Sequence, residues 1–432
     1  MLLSSCISAP QRRRARLLAY VSTWTGNMSE VLFDSSAIVL LFITAQGGGG
    51  GMAMLSSALS PAAWALLLVP CSELARKKGL KWTLSAGVYL AMAGILVLVL
   101  SPYCGRAALG IALAGCAVFA LSRPVHLAAW NPLLNGILRR EERGKFFGFM
   151  RFSYQLAGII LFSSAGFLMG EKPPLWLLQS IIGLCGLLLI GRKLCLDRIP
   201  AARSASAAES SFAAQIRRTL RNGMLTGFSV YSCGLIFTAT ASLPLTVLYL
   251  KHGVRLNAGT IQLIAVVGTA GTMLGYLLFG TLLERLGIRV LILFCHISMI
   301  VFNTALAFCT PQFSFTPAAC AVLLFGMSFS TATFANCFST ELLALAKPGQ
   351  YTTAMALGTS YRHLGDAAGR LFATIVLGSG ILAANWQAGG LAFTRYQSLE
   401  FICAATGLLL LIALPTVPAI VPRREDYYEG AR

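Results

Sequence analysis

Ionisable residues are scarce in this chain, and several interrupt long apolar runs. Asn27, Glu30 and Asp34 recur at i, i+3 and i+7, which places them on one face of a helix. The apolar run after Asp34 extends for only about twelve residues, too few to cross a bilayer alone, so Asp34 and Glu30 are expected within the membrane. Carboxyls at that depth are costly unless they face a cavity or a cation, which makes them candidate proton carriers. The plainer alternative is an amphipathic entry segment with Glu30 at the inner interface. Arg123 and His126 lie one helical turn apart. Arg123 is a candidate counter-ion for Asp34 or Glu30, or a contact for an anionic substrate, and His126 is a weaker proton-relay candidate. Further on, Arg362, Asp366 and Arg370 are spaced by four, with His363 beside them. This stripe sets an acid between two bases. It is read either as self-neutralised packing against span two or eight, or as a gating or coupling network.

The elements that must carry these residues are membrane helices. The chain is 56% hydrophobic and only 11% charged, with a mean hydropathy of +0.74, whereas soluble domains carry about 25% charged residues. Apolar stretches of bilayer-spanning length recur at 20–46, 52–75, 80–101, 107–134, 146–170, 174–195, 223–250, 258–284, 288–310, 316–345, 353–384 and 398–421. The expected fold is therefore an all-α membrane protein of twelve transmembrane helices in two pseudo-symmetric six-helix bundles. The expected bundles are 1–195 and 223–421, with a small, polar linker at 196–222 that ends in an amphipathic basic segment, and a short tail at 422–432.

The net charge of +19 would suit a nucleic-acid partner, but its distribution argues otherwise. With the loops numbered alternately from an inner N-terminus, 26 of the 34 basic residues fall on the inner side and five on the outer. The inner set counts Arg192 among its loop charges. Such a split is the positive-inside signature and places both termini in the cytoplasm. The basic charge is topological, and no nucleic-acid partner is expected. The twelve cysteines are scattered without CxxC or metal-ligand spacing, so neither metal nor cofactor is expected.

The chain also repeats itself. Ser72-Glu73-Leu74-Ala75-Arg76-Lys77-Lys78-Gly79-Leu80-Lys81 is echoed 208 residues later by Gly280-Thr281-Leu282-Leu283-Glu284-Arg285-Leu286-Gly287-Ile288-Arg289. Ser153-Tyr154-Gln155-Leu156-Ala157-Gly158 returns 207 residues on as Ser360-Tyr361-Arg362-His363-Leu364-Gly365. Two independent echoes at nearly one offset indicate duplicated halves, a common plan among transporters. The twelve spans, the basic central loop, the Gly-x-Leu-x-acid-Arg-x-Gly-x-Arg turn after spans two and eight, and Arg143-Gly144-Lys145-Phe146-Phe147-Gly148 together resemble the major facilitator superfamily, bacterial type. The resemblance covers essentially the whole chain.

That resemblance implies a gating role for the turn. Gly280, Glu284, Arg285, Gly287 and Arg289 carry the pattern. Glu284 is expected to lock onto the N-terminus of span five, near Phe146 to Met150, where a helix dipole favours an anion. In the first copy Ser72 replaces the leading glycine and Arg76 stands in the acid's place, so Glu73, Arg76 and Gly79 form a weaker version. Arg123 is faintly similar to the span-four arginine of drug/proton antiporters. Span five nevertheless lacks that subgroup's Gly-Pro pair, and no sugar-porter Pro-Glu-Ser or Pro-Glu-Thr turn follows span six or twelve.

No Walker-type loop exists, so ATP is not the expected energy source. The outer loops hold almost no ionisable residues for an enzyme's active centre, and the tails are short for a sensor. The expected activity is secondary active transport of a small solute by alternating access, coupled to protons. Multidrug or metabolite efflux by antiport is the alternative. The expected setting is the plasma (bacterial inner) membrane, with the lipid bilayer as partner and the protein as a monomer.

Overall fold

The computed structural model describes residues 9–138, 142–200, 212–347 and 351–416. Residues 201–211 of the expected linker, the whole expected tail and the basic residues Arg139 and Arg140 lie outside the described residues. Helix dominates because apolar segments in lipid must satisfy every backbone amide internally. Cα proximity divides the chain into two compact units, Met1–Ala207 with Leu256–Val266, and Ala208–Arg255 with Val267–Arg432.

The first unit begins with α1 (Ala9–Asp34) and α2 (Ile38–Ala45), a span bent by 55° at Ser35–Ala37. Ser35 and Ser36 both turn their amides back to the Val31 carbonyl, at 2.9 and 3.1 Å. The Ser36 hydroxyl donates to Leu32 O at 2.7 Å, so the interruption is held by serine side chain and backbone together. Next come α3 (Gly50–Lys78), α4 (Leu80–Leu100), α5 (Ala108–Ile137), α6 (Arg143–Met169) and α7 (Leu175–Arg198). Helices α4 and α5 approach to backbone contact. A Cβ placed on Gly94 would sit 2.4 Å from Phe119 N, and one on Gly115 would sit 2.7 Å from Leu98 N. Small residues at such crossings are how helices associate where lipid removes the hydrophobic drive.

The second unit holds α8 (Phe212–Leu220), α9 (Gly223–Ala239), α10 (Ser242–His252), α11 (Ala258–Leu286), α12 (Ile288–Phe308), α13 (Thr316–Leu345), α14 (Tyr351–Ser379) and α15 (Arg395–Ala413), with the first turns of α11 grouped in unit one. Helices α9 and α10 form another interrupted span, broken at Thr240–Ala241. Ser242 lies 206 residues after Ser36, so both breaks occur at equivalent points of the duplicated sequence. In this unit α14 lies on α9, where Gly365 meets the Cys233 carbonyl so closely that a Cβ would come within 2.0 Å of it. Strands β1 (Asn385–Ala388) and β2 (Leu391–Thr394) form an antiparallel hairpin between α14 and α15. Gly389 and Gly390 turn it with φ of 57° and 79°, as a two-residue hairpin loop requires, and Trp386 stacks on Phe393 at 4.5 Å.

Among the described residues, nine helical stretches are long and apolar enough to cross a membrane, or ten with the bent α1–α2 pair. One of them, Leu80–Leu134, contains both α4 and α5, and α14 is long enough but carries the charged stripe. Large apolar side chains such as Leu66, Phe167 and Val322 stand fully outward, as a lipid-facing surface demands.

The repeated turn is duplicated in the backbone as well. Gly79 ends α3 and starts α4 with φ 90° and ψ 156°, and Gly287 does the same for α11 and α12 with φ 74° and ψ 160°. That region of backbone space is open essentially to glycine alone.

Candidate functional site

Helix α1 carries Asn27, Glu30 and Asp34 down one face, and the structure brings this face against Arg123 of α5 and Arg192 of α7. Arg123 grips Asp34 with both guanidinium nitrogens, Nη1 to Oδ1 at 3.2 Å and Nη2 to Oδ2 at 2.8 Å. The same Nη2 lies 3.5 Å from Glu30 Oε2. Glu30 in turn accepts from Arg192 Nη1 at 2.9 Å, while Arg192 Nη2 donates to Asn27 Oδ1 at 2.8 Å and Nε to the Ser22 carbonyl at 3.3 Å. A fork of two parallel donors suits a carboxylate, which explains why arginine and not lysine occupies position 123. The Arg123 guanidinium also lies over the Trp64 ring at 5.8 Å, a cation–π contact that helps hold the charge away from water.

Two acids and two bases make the cluster neutral when all four are ionised. Its members differ in access: the Arg192 and Arg123 side chains are 7% and 10% exposed and Glu30 is 23% exposed, whereas Asp34 is 42% exposed. A space of about 10 Å³, room for about one water, lies among Glu30, Ser122, Arg123, His126 and Arg192. His126 is buried, stacks on Trp130 at 5.6 Å, and neither ring nitrogen finds a hydrogen-bond partner among the described residues.

Arg192 corrects the sequence reading. It stands among the inner-loop charges in the topological count, yet it is buried inside α7 and completes the cluster. Gly26 makes this possible: a Cβ there would lie 1.7 Å from Arg192 Nε, inside the guanidinium. The signal was Arg192 itself, preceded directly by the apolar run of span six, but its approach to α1 depends on a glycine in a different helix.

The α14 stripe belongs to the second unit. Arg370 Nε donates to Asp366 Oδ1 at 2.7 Å, and both side chains are nearly buried at 11% and 12% exposure. Arg362 turns to its neighbour His363, with Nη2 3.1 Å from Nε2. The helix packs on α9, α13 and α8. In the repeated turn, Glu73 is held by Arg76 at 2.6 and 2.7 Å and by Lys77 at 3.5 Å. Glu284, Arg285 and Arg289 are exposed at the α11–α12 junction, and a Cβ on Gly280 would meet open space. Among the described residues no group of three or more His, Cys, Asp or Glu side chains could hold a metal ion.

Glu400 escaped the sequence reading altogether. It sits one turn into α15, is 4% exposed, and lies beside Ser242 of α10.

The fold has many solved counterparts. The nucleoside transporter NupG superposes with a TM-score of 0.65 at 15% identity, covering 96% of this chain and 100% of that one. A bacterial homologue of the iron transporter ferroportin, in an inward-facing state, gives 0.68 at 15% identity over 95% of this chain and 99% of its own. The xylose transporter XylE from E. coli, in an inward-open conformation, gives 0.66 at 12% identity over 97% and 98%. At these identities the likeness is one of fold. No curated protein matches the chain in sequence. The Major Facilitator Superfamily profile matches residues 23–370, from the first helix of the charged cluster to Arg370 of the α14 stripe. This multi-pass membrane chain therefore belongs to the Major Facilitator Superfamily, and it is a transporter rather than an enzyme.

Proposed function

We propose that this protein is a proton-coupled secondary transporter of a small solute, working by alternating access as a monomer in the plasma (bacterial inner) membrane. The observation that carries the reading is the exposure gradient within the α1–α5–α7 cluster. Three of its ion-pair members are largely buried, and Asp34 alone is more than a third exposed. Protonating Asp34 converts a neutral cluster into one of net charge +1 and releases Arg123 from a bidentate grip, leaving it the weaker contact to Glu30 at 3.5 Å. A single proton thus changes both the charge and the helix-to-helix bonding of α1 and α5, as a coupling step needs. Symport with the solute is the mode we propose, and the fold is shared with a D-xylose-proton symporter.

In this reading Arg370 and Asp366 serve the second unit as a compensated, nearly buried pair on α14. Glu284 keeps the gating role, whereas Glu73 is already engaged by Arg76 and Lys77.

The test begins with a melting screen of the purified protein against sugars, nucleosides, amino acids, peptides and organic acids, because a ligand of the folded state raises the midpoint by mass action. The hit is then followed in proteoliposomes under an imposed pH gradient. Asp34→Asn is expected to abolish accumulation against the solute gradient while leaving solute exchange intact. Gradient-driven accumulation that persists in both Asp34→Asn and Glu30→Gln would remove the coupling assignment.

A further inference from the structure

Glu400 lies within the membrane-spanning helix α15, buried to 4% exposure, and no basic side chain pairs with it among the described residues. Its surroundings count hydrogens strictly. Asn303 of α12 donates its amide Nδ2 to the Thr238 carbonyl at 2.8 Å, which turns Oδ1 toward Ser242, and Ser242 Oγ lies 2.7 Å from that oxygen. Ser242 Oγ is also 3.3 Å from Glu400 Oε2. A serine hydroxyl has one hydrogen and otherwise only lone pairs. At 2.7 Å that hydrogen belongs between Ser242 and Asn303, since two acceptors would repel there. The contact to Glu400 then lacks a hydrogen unless the carboxyl supplies it. Only the carboxylic acid, donating from Oε2 to Ser242 Oγ, satisfies both contacts together.

The other oxygen tells the same story. Glu400 Oε1 has no hydrogen-bond partner among the described residues. A buried carboxylate oxygen left bare is far more costly than a bare carbonyl oxygen of the neutral acid. Beside it is a space of about 10 Å³, room for about one water. Thr246, Tyr249, Cys320 and Gln397 share the lining, and such a water gives a proton a first step away from the carboxyl. The titratable groups facing Glu400 are weak acids: Tyr249 from α10, Cys309 from the end of α12, Cys320 from α13, and Tyr396 and Cys403 from α15 itself. Arg395 lies over the ring of Tyr396 at 5.7 Å, and the His252 ring stacks on it at 6.4 Å.

We propose that Glu400, with Ser242 and Asn303, forms a second proton-binding site, located at the α9–α10 interruption of the second unit and separate from the Asp34 cluster. There the acid holds its proton against Ser242, and loss of that proton requires the Ser242 hydroxyl to rotate from Asn303 to the carboxylate. Release thereby breaks the Ser242–Asn303 link between α10 and α12. Its part in transport rests on the proton-coupled reading above, but its protonation is a property of the resting protein and is measured without any solute.

The measurement is infrared spectroscopy of the full-length protein in liposomes, in potassium chloride at stepped pH, with ²H₂O exchange to identify protonated carboxyls by their C=O stretch. The wild type and Asp34→Asn are expected to show this band at neutral pH and to lose it as the pH rises. Glu400→Gln is expected to lack it throughout. Ser242→Ala removes the acceptor and is expected to keep the band, shifted to higher frequency, so it decides the matter if Glu400→Gln does not fold. The proposal is overturned if the wild type shows no such band, if the band survives in Glu400→Gln, or if Ser242→Ala leaves it unmoved. It is equally overturned if sodium chloride abolishes the band at fixed pH, since that outcome makes this a sodium site. A failed Asp34→Asn transport test with the Glu400 band intact would remove the coupling reading and leave this site standing.

Discussion

Replacing Arg192 with methionine isolates the bond that ties α7 to α1. In the native cluster Arg192 Nη1 meets Glu30 Oε1 at 2.9 Å, and the direct attraction at an effective dielectric of about 20 is about 6 kcal/mol before dehydration is charged against it. Methionine fills similar volume without charge, so the loss falls on Glu30, which keeps only Arg123 at 3.5 Å, and on Asn27, which loses its donor. Breaking a buried pair from one side costs about 3–5 kcal/mol. The partial exposure of Glu30, 23%, and its second cation place the expected cost at the lower end, about 3 kcal/mol. Neutralising both partners, Arg192→Met with Glu30→Gln, leaves no orphaned charge and should recover more than half of that loss. The assay is equilibrium unfolding of the purified protein in mixed micelles, read on all four members of the double-mutant cycle. If the two single changes add to within about 0.5 kcal/mol in the double variant, the pair is not coupled and the reasoning fails.

Two further expectations follow from the backbone. Gly79→Ala and Gly287→Ala each force a side chain into a glycine-only conformation, so each should destabilise by about 1–3 kcal/mol, and by similar amounts because the two turns share their dihedrals; a neutral result at either, in the same unfolding assay, would show that the turn relaxes. Gly365→Leu drives a side chain into the Cys233 carbonyl, 2.0 Å from the new Cβ, and should lower the melting midpoint and the folded yield on size exclusion; Leu364→Ala, on an exposed neighbouring position, should change neither.

The sequence showed the membrane fold, the repeat and three of the four charged members of the cluster for one physical reason. A polar residue inside an apolar run is visible without knowing what it touches, and helical spacing alone put Glu30 and Asp34 on one face. Arg123 was legible as a candidate partner on the same grounds. Arg192 was not, because it stands near the inner end of the expected span 174–195, followed by Lys193 and Arg198, and is counted with the inner-face charges. Its burial is decided by Gly26, a residue with no chemistry of its own. Glu400 was hidden by position: five residues after Arg395, it looks like an interfacial charge, and only Ser242 and Asn303 from other helices reveal it as buried. The hairpin was readable in principle, since Gly389-Gly390 between Trp386 and Phe393 is a turn signal. It lies wholly in the gap between the expected spans 353–384 and 398–421, where apolar-run length says nothing about the connecting chain.

The single-glycine reversals at Gly79 and Gly287 leave no slack between the helices they join. With one residue serving as the end of one rod and the start of the next, α3 and α4 are pinned together at that end, and so are α11 and α12. A change in tilt between the members of either pair has to be absorbed at their far ends. There the connections have length to spare: Gln46–Gly49 before α3, with Gly47 at φ 86°, and Cys309–Phe315 after α12. Each pair is a pair of tongs with its pivot on one membrane face and its play on the other.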